Sequence, residues 1–175
     1  LTGLLCNDAR LTGEGKEVRA IGDPTETALL VAAAKAGLFR EKMAEELPQV
    51  KECPFDSTRK RMSTINRGKL PFPVPGLPAE GLWVFTKGAP DVLLKKCRRY
   101  LSESGIEELT PEVSEKFAGF NKELANRALR VLGLAFRPFQ EGEAGGVEDV
   151  ENDLIFLGFL GMIDPPRPEA RPAIG

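Results

Sequence analysis

Apolar positions fall in short runs along the chain, broken by glycine, proline and charged residues. Residues 1–6 form one such run, which fits a strand or a short helix, and Asn7-Asp8 ends it. Residues 18–21 fit a short strand. Asp23-Pro24-Thr25-Glu26 then carries the marks of a helix start, with Asp23 as N-cap, Pro24 at the first position and Glu26 at the third. This helix is expected to stop near Gly37. Glu26 is placed to reach back to the Asp23 backbone N–H as a capping-box partner, a role compatible with a second one. Residues 40–46 read as an amphipathic helix closed by Pro48.

Residues 50–66 read as strand, turn and strand. The turn is Asp56-Ser57-Thr58, and the basic run Arg59-Lys60-Arg61 follows it. Pro71, Pro73, Pro75 and Pro78 exclude a central strand from residues 68–81. The flanking strands at 62–65 and 82–85 are thus expected to form a long-looped hairpin. Leu82-Trp83-Val84-Phe85-Thr86-Lys87 is an apolar strand that stops at a lysine, before a Gly88-Ala89-Pro90 turn and a helix over 91–97. Residues 100–109 suggest a hairpin around Ser104-Gly105. Thr110 caps the longest helix, with Pro111 at its first position. Val113, Phe117, Phe120, Leu124 and Ala128 share one stripe of it, predicted as core. Residues 131–136 read as a buried strand, 140–151 as an acidic surface loop, and 154–163 as the last strand, ending at Asp164-Pro165-Pro166-Arg167.

Two stretches carry open alternatives. Lys87 sits at a strand end just before a helix start, where an anion is favoured; as a lone lysine, base rates favour the solvated reading. Phe55 beside Arg59-Lys60-Arg61 could hold a planar heterocycle bearing phosphates. Pattern alone favours the plainer reading, a core phenylalanine beside a solvated basic run.

Composition narrows the chemistry. The 175 residues carry a formal net charge of −2, with 42% hydrophobic and 29% charged residues, which suits one domain with its own core. The near-neutral balance argues against a nucleic-acid partner. There is no run of about 18 or more apolar residues and no signal pattern at the start. Cys6, Cys53 and Cys97 are scattered, which reads as free thiols in a reducing compartment. The chain has no histidine, which removes the usual general base, the usual zinc ligand and every Ser/His or Cys/His nucleophile pair. A start at Leu1 and an end at Gly175 suggest a fragment of something larger.

Five separated stretches, in order, resemble one family. They are Gly22-Asp23-Pro24-Thr25-Glu26-Thr27-Ala28-Leu29, Phe55 with Arg59-Lys60-Arg61-Met62-Ser63, Lys87-Gly88-Ala89-Pro90-Asp91, Ala128-Leu129-Arg130-Val131-Leu132, and Asp164-Pro165-Pro166-Arg167. The chain is similar over nearly its whole length to the nucleotide-binding (N) domain of P-type cation-transporting ATPases, the calcium-pump branch most closely. That resemblance implies an α+β fold, a twisted antiparallel β-sheet with helices packed on it. It implies one domain over residues 1–175, with hinge segments near 1–8 and 162–175 leading to a phosphorylation domain.

It also implies a site for ATP, bound as Mg-ATP in the full-length pump. Phe55 would stack on adenine, Lys87 and the adjoining Gly88 would line the deep end, and Glu26 with Thr25 would contact the adenine edge. Lys60 would neutralise the α-phosphate region, and Arg130 would reach the sugar and β-phosphate. Leu132 would pack near the base and Met62 would form an apolar wall. The implied partners are the phosphorylation and actuator domains of the same polypeptide, on the cytoplasmic face of a membrane-embedded parent, with no nucleic acid and no membrane contact by this stretch. The family's phosphorylated aspartate lies in an Asp-Lys-Thr-Gly-Thr motif, which this chain lacks, so the stretch alone is expected to bind nucleotide without turning it over. Animal-type calcium pumps carry an arginine two positions after the stacking phenylalanine; here Ser57 stands there, with Arg59 or Arg61 as possible substitutes. The proline-rich loop looks like an insertion. The alternative function is an interaction or regulatory module that keeps the fold with weak or no nucleotide binding.

Overall fold

The computed structural model describes residues 1–13, 19–140, 142 and 146–163, without the side chain of residue 148. Glu14 to Lys16 of the early polar turn and the Asp164-Pro165-Pro166-Arg167 exit lie outside these.

The chain runs α1 (Thr2–Leu5), β1 (Arg10–Thr12), β2 (Arg19–Ile21), α2 (Pro24–Lys35), α3 (Arg40–Glu46), β3 (Gln49–Asp56), β4 (Arg61–Lys69) and β5 (Glu80–Gly88). It continues through α4 (Pro90–Leu94), β6 (Cys97–Ser102), β7 (Gly105–Glu108), α5 (Pro111–Asn126), β8 (Leu129–Phe139), α6 (Val147–Val150) and β9 (Leu154–Ile163). Seven strands form one sheet in the order β3-β4-β5-β8-β9-β6-β7, and β1 and β2 form a separate ribbon. The α+β architecture follows the expected one with a single departure. The sheet is mixed, because β6 pairs in parallel with β9; the short α4 returns the chain from β5 to that distant edge.

β5 lies inside the sheet, between β4 and β8. Its alternation sends Trp83 and Phe85 to one face and Leu82 and Val84 to the other. The first face packs with Leu4 and Leu5 of α1, Leu30 of α2 and Met43 of α3. The second packs with Leu93 and Leu94 of α4, Leu154 and Phe156. Both faces of β5 are thus dry, which is why its run is continuously apolar. The Trp83 indole N–H of β5 donates to Gly68 O at the end of β4 at 2.9 Å, and the long connection beyond is closed by the Leu70 N–H on Ala79 O at 3.0 Å.

Several local expectations are revised. Residues 1–6 resolve to the helix α1 with Cys6 as its C-cap. The helix after the lysine is shorter than expected, and Cys97 already opens β6. The stripe on α5 is not a buried one: none of its residues is buried, and Phe120 is 54% exposed. Only Phe117 drives deep, stacking edge-on against Tyr100 and tilting onto Phe156.

Candidate functional site

The ends of α2, β3, β5 and β8 converge on a cleft of about 620 Å³. Thr25, Glu26, Phe55, Lys60, Lys87, Gly88, Arg130 and Leu132 all line it. Met62 does not. It is 1% exposed and belongs to the core, where its carbonyl accepts the Cys6 thiol at 3.3 Å. Strand alternation on β4 turns it inward, opposite Lys87 on β5, so it supports the floor and forms no wall.

Phe55 is 64% exposed. Strict alternation would put it on the same face as the buried Cys53. A register shift between Cys53 and Asp56 breaks that alternation, and the bulge turns the ring outward to the cleft. The turn beyond is closed by Asp56, whose carboxylate accepts the N–H groups of Arg59 at 2.8 Å and Thr58 at 2.9 Å. Those bonds, with Arg59 N–H first, hold the Asp56 carboxyl below its ordinary value. Lys60 adopts φ 53° and its carbonyl accepts the Ala89 N–H at 2.9 Å. Gly88 is packed into this junction. A Cβ there would stand 2.6 Å from the Arg61 Cβ and 2.7 Å from the Lys60 carbonyl oxygen.

Asp23 caps α2 as expected, accepting the Thr25 N–H at 2.8 Å. Glu26 does not close a capping box. One carboxylate oxygen pairs with Lys87 Nζ, and the other accepts the Asp8 N–H at 3.1 Å. The pair sits at the closed end of the cleft, where Lys87 is 6% exposed. Lys87 is therefore a cleft residue with a fixed counter-charge. At the open end, Arg130 donates to the Thr25 hydroxyl at 2.7 Å, joining the start of β8 to the first turn of α2.

Two members of the basic run, Arg59 and Arg61, are drawn into the protein, while Lys60 stays exposed. Arg59 Nη1 bonds both oxygens of Glu151 at 2.6 Å, and Arg61 Nε bonds Oε2 at 2.6 Å. Ser63 Oγ adds a bond to Oε1 at 2.9 Å. Glu151 is fully buried, and its desolvated carboxylate is matched by the buried Arg61 and the partly buried Arg59. Arg59 and Arg61 are thereby turned away from the cleft, and Lys60 between them is the cation that lines it.

Two contributors escaped the sequence reading. Asp8 lines the closed end; its place after an apolar run gave no sign of that. Glu151 lay in a stretch read as a solvated acidic loop, and only the tertiary partners distinguish it from its acidic neighbours.

Chemically, the cleft offers one exposed aromatic face, one buried ion pair and two cations toward the mouth. That set suits a flat heterocycle with an anionic tail. Among the described residues no group of three or more Cys, Asp or Glu side chains could hold a metal ion. No helix among them is long and apolar enough to cross a membrane.

The family model for the P-type ATPase cytoplasmic domain N matches residues 1–169. The chain is 40% identical over 165 residues to calcium-transporting ATPase 1 of Lactococcus lactis subsp. lactis (strain IL1403), covering 94% of this chain and 17% of that protein. It is 37% identical over 174 residues to the calcium-transporting ATPase of Bacillus subtilis (strain 168), covering 99% and 18%. It is 37% identical over 177 residues to the cation-transporting ATPase pma1 of Synechocystis sp. (strain ATCC 27184 / PCC 6803 / Kazusa), again covering 99% and 18%. The chain thus spans less than a fifth of the length of these curated relatives. With its sheet, its cleft and a match over nearly all its residues, the chain belongs to the P-type ATPase family, as a cytoplasmic N domain.

Proposed function

We propose that the cleft binds ATP by its base and presents the γ-phosphate to an aspartate on a separate phosphorylation domain of a cation pump, with calcium as the cation. The observation that carries this reading is the exposed Phe55 ring set beside the buried Lys87–Glu26 pair in one cleft. Adenine stacks on Phe55, its edge meets the Glu26 end, and Leu132 closes the apolar side. Lys60 and Arg130 meet the phosphates as they leave the cleft, and magnesium arrives with the nucleotide in the full pump. Residues near 1–8 and 162–175 serve as the hinge to the phosphorylation domain, with the actuator domain further off. The parent protein holds this domain on the cytoplasmic face of a membrane.

With Arg59 and Arg61 engaged by Glu151 and Ser57 in the cleft-side turn, phosphate contacts are few. Affinity in the range of about 0.1–1 mM Kd follows, or about 4–5.5 kcal/mol. Tethering to the acceptor domain makes such weak binding sufficient. That same shortage of phosphate contacts favours a second reading, a module that keeps the fold for interaction and has little use for nucleotide.

Titration with ATP, followed by amide NMR shifts, separates the two. Saturable shifts at Phe55, Lys87 and Glu26 support nucleotide binding. No shift at any of them at 10 mM ATP, about ten times the weaker bound, leaves the interaction module.

A further inference from the structure

Glu151 follows α6 just before β9 and does not line the cleft. Its own segment is fixed from β8, where Arg137 donates to Asp149 O at 3.1 Å and to Val150 O at 3.3 Å. The two guanidinium groups that Glu151 holds do more than match its charge. Arg59 turns its other nitrogen, Nη2, to Pro54 O at 2.6 Å, and that carbonyl belongs to the peptide leading into Phe55. Arg61 turns its Nη1 to Arg59 O at 3.0 Å, and that carbonyl belongs to the peptide leading into Lys60. Phe55 reaches the cleft only through a register shift, and Lys60 stands at φ 53°. Both side chains are exposed, so their own packing does not hold these geometries. An uncommon backbone geometry persists only where its surroundings over-determine it.

We infer that Glu151 is a positioning residue of the nucleotide cleft: through Arg59 and Arg61 it fixes the two peptides that aim Phe55 and Lys60. The inference rests on the nucleotide reading above. One buried carboxylate outside the cleft thereby sets both the aromatic face and the neighbouring cation.

The experiment is a double-mutant cycle on the 175-residue chain. Glu151→Gln, Phe55→Ala and the two together are titrated with ATP and followed by amide NMR shifts at Lys87 and Gly88. Gln keeps the shape of Glu and removes the charge that fixes the guanidinium groups. Shifts of folded resonances report folded molecules alone, so lost stability by itself does not move the midpoint. Glu151→Gln should weaken ATP about tenfold, the scale of one lost base stack. Phe55→Ala should cost about that factor in the unmodified chain and less than about twofold in Glu151→Gln, because there the ring is already misaimed. An unchanged midpoint in Glu151→Gln, or an undiminished Phe55 factor, overturns the inference while leaving nucleotide binding intact. Where Glu151→Gln does not fold, Arg59→Lys takes its place in the cycle. Lysine keeps a charge beside Glu151, with Arg61 and Ser63 still bonded there, but its single nitrogen replaces the two that span Glu151 and Pro54 O. The Phe55 factor should again shrink, and an undiminished factor in Arg59→Lys overturns the inference equally. Failure of ATP to bind the unmodified chain at all overturns the underlying reading and the role of Glu151 with it.

Discussion

Arg59 grips both oxygens of Glu151 through one nitrogen, at 2.6 Å each, across 92 residues of sequence. Arg61 and Ser63 complete the shell of that carboxylate. The network pins the end of β3 and the turn after it, which carry Phe55 and Lys60, to the segment that leads into β9. Glu151→Gln leaves two guanidinium groups facing a neutral amide in a dry site. Its cost should be about 3–5 kcal/mol, the scale for removing one partner of a buried pair. Urea unfolding measures it. A loss below about 1 kcal/mol would mean that the network is solvated after all.

Phe55 offers the opposite case, a large apolar ring with little to do in the fold. Because it is mostly exposed, Phe55→Ala should leave unfolding free energy within about 0.5 kcal/mol. Nucleotide affinity should fall by roughly 1–3 kcal/mol, the scale of stacking a base on an aromatic ring. Calorimetric titration beside urea unfolding checks the separation. Unchanged affinity removes the stacking role.

What the sequence made legible, and what it hid, divides along physical lines. Caps and breakers act locally, so Asp23, Pro24, Thr110 and Pro111 placed both long helices correctly. Strand β5 declared its burial through an unbroken apolar run. The reading failed where a partner distant in sequence decides the outcome. Glu26 had a good local reason to cap its own helix, yet Lys87 and Asp8 take its carboxylate. Phe55 lay on the buried parity of its strand until a bulge, invisible in composition, reversed it. The parallel β6–β9 pairing likewise has no local signature, since both strands look alike from either partner's side. Met62 matched a family position, but only the direction of its side chain tells floor from wall.

Gly88 tests how tightly the cleft's back is built. With Arg61 Cβ at 2.6 Å and a backbone oxygen at 2.7 Å from any added Cβ, Gly88→Ala must part β5 from the β3–β4 turn. About 1–3 kcal/mol of destabilisation is expected, the cost of overpacking. Gly81→Ala at the other end of the same strand meets nothing within 4 Å and should be close to neutral. The comparison by thermal unfolding isolates the contact from the generic effect of replacing glycine in a strand.

Two aspartates near the cleft should titrate on opposite sides of their common reference of 3.8. Asp56 is held low by the N–H bonds of its turn, first that of Arg59. Its folded value lies below the unfolded one, so its contribution is present above about pH 4 and is lost as pH falls through the folded value. Asp8 is held high by burial and by Glu52 and Glu26. The native state then binds the proton more tightly, and stability declines as pH rises from the unfolded value through the folded one. Side-chain carboxyl NMR titration resolves both midpoints. Equal midpoints would show that neither environment persists in solution.

Lys87 is set by its partner more than by any ligand. Its ammonium already faces Glu26 at the closed end, beneath the position assigned to the base. The phosphates, in this arrangement, leave past Lys60 and Arg130. Lys87→Ala removes the counter-charge, frees the Glu26 carboxylate to move and reshapes the base end. Affinity for adenosine should therefore fall about as much as affinity for ATP, since the lost contact is one that both ligands share. A loss confined to ATP would place the ammonium on phosphate and reverse the orientation of nucleotide in the cleft. Lys60→Ala supplies the contrast: it should weaken ATP and leave adenosine nearly untouched, because the proposed binding mode brings only the anionic tail to its charge.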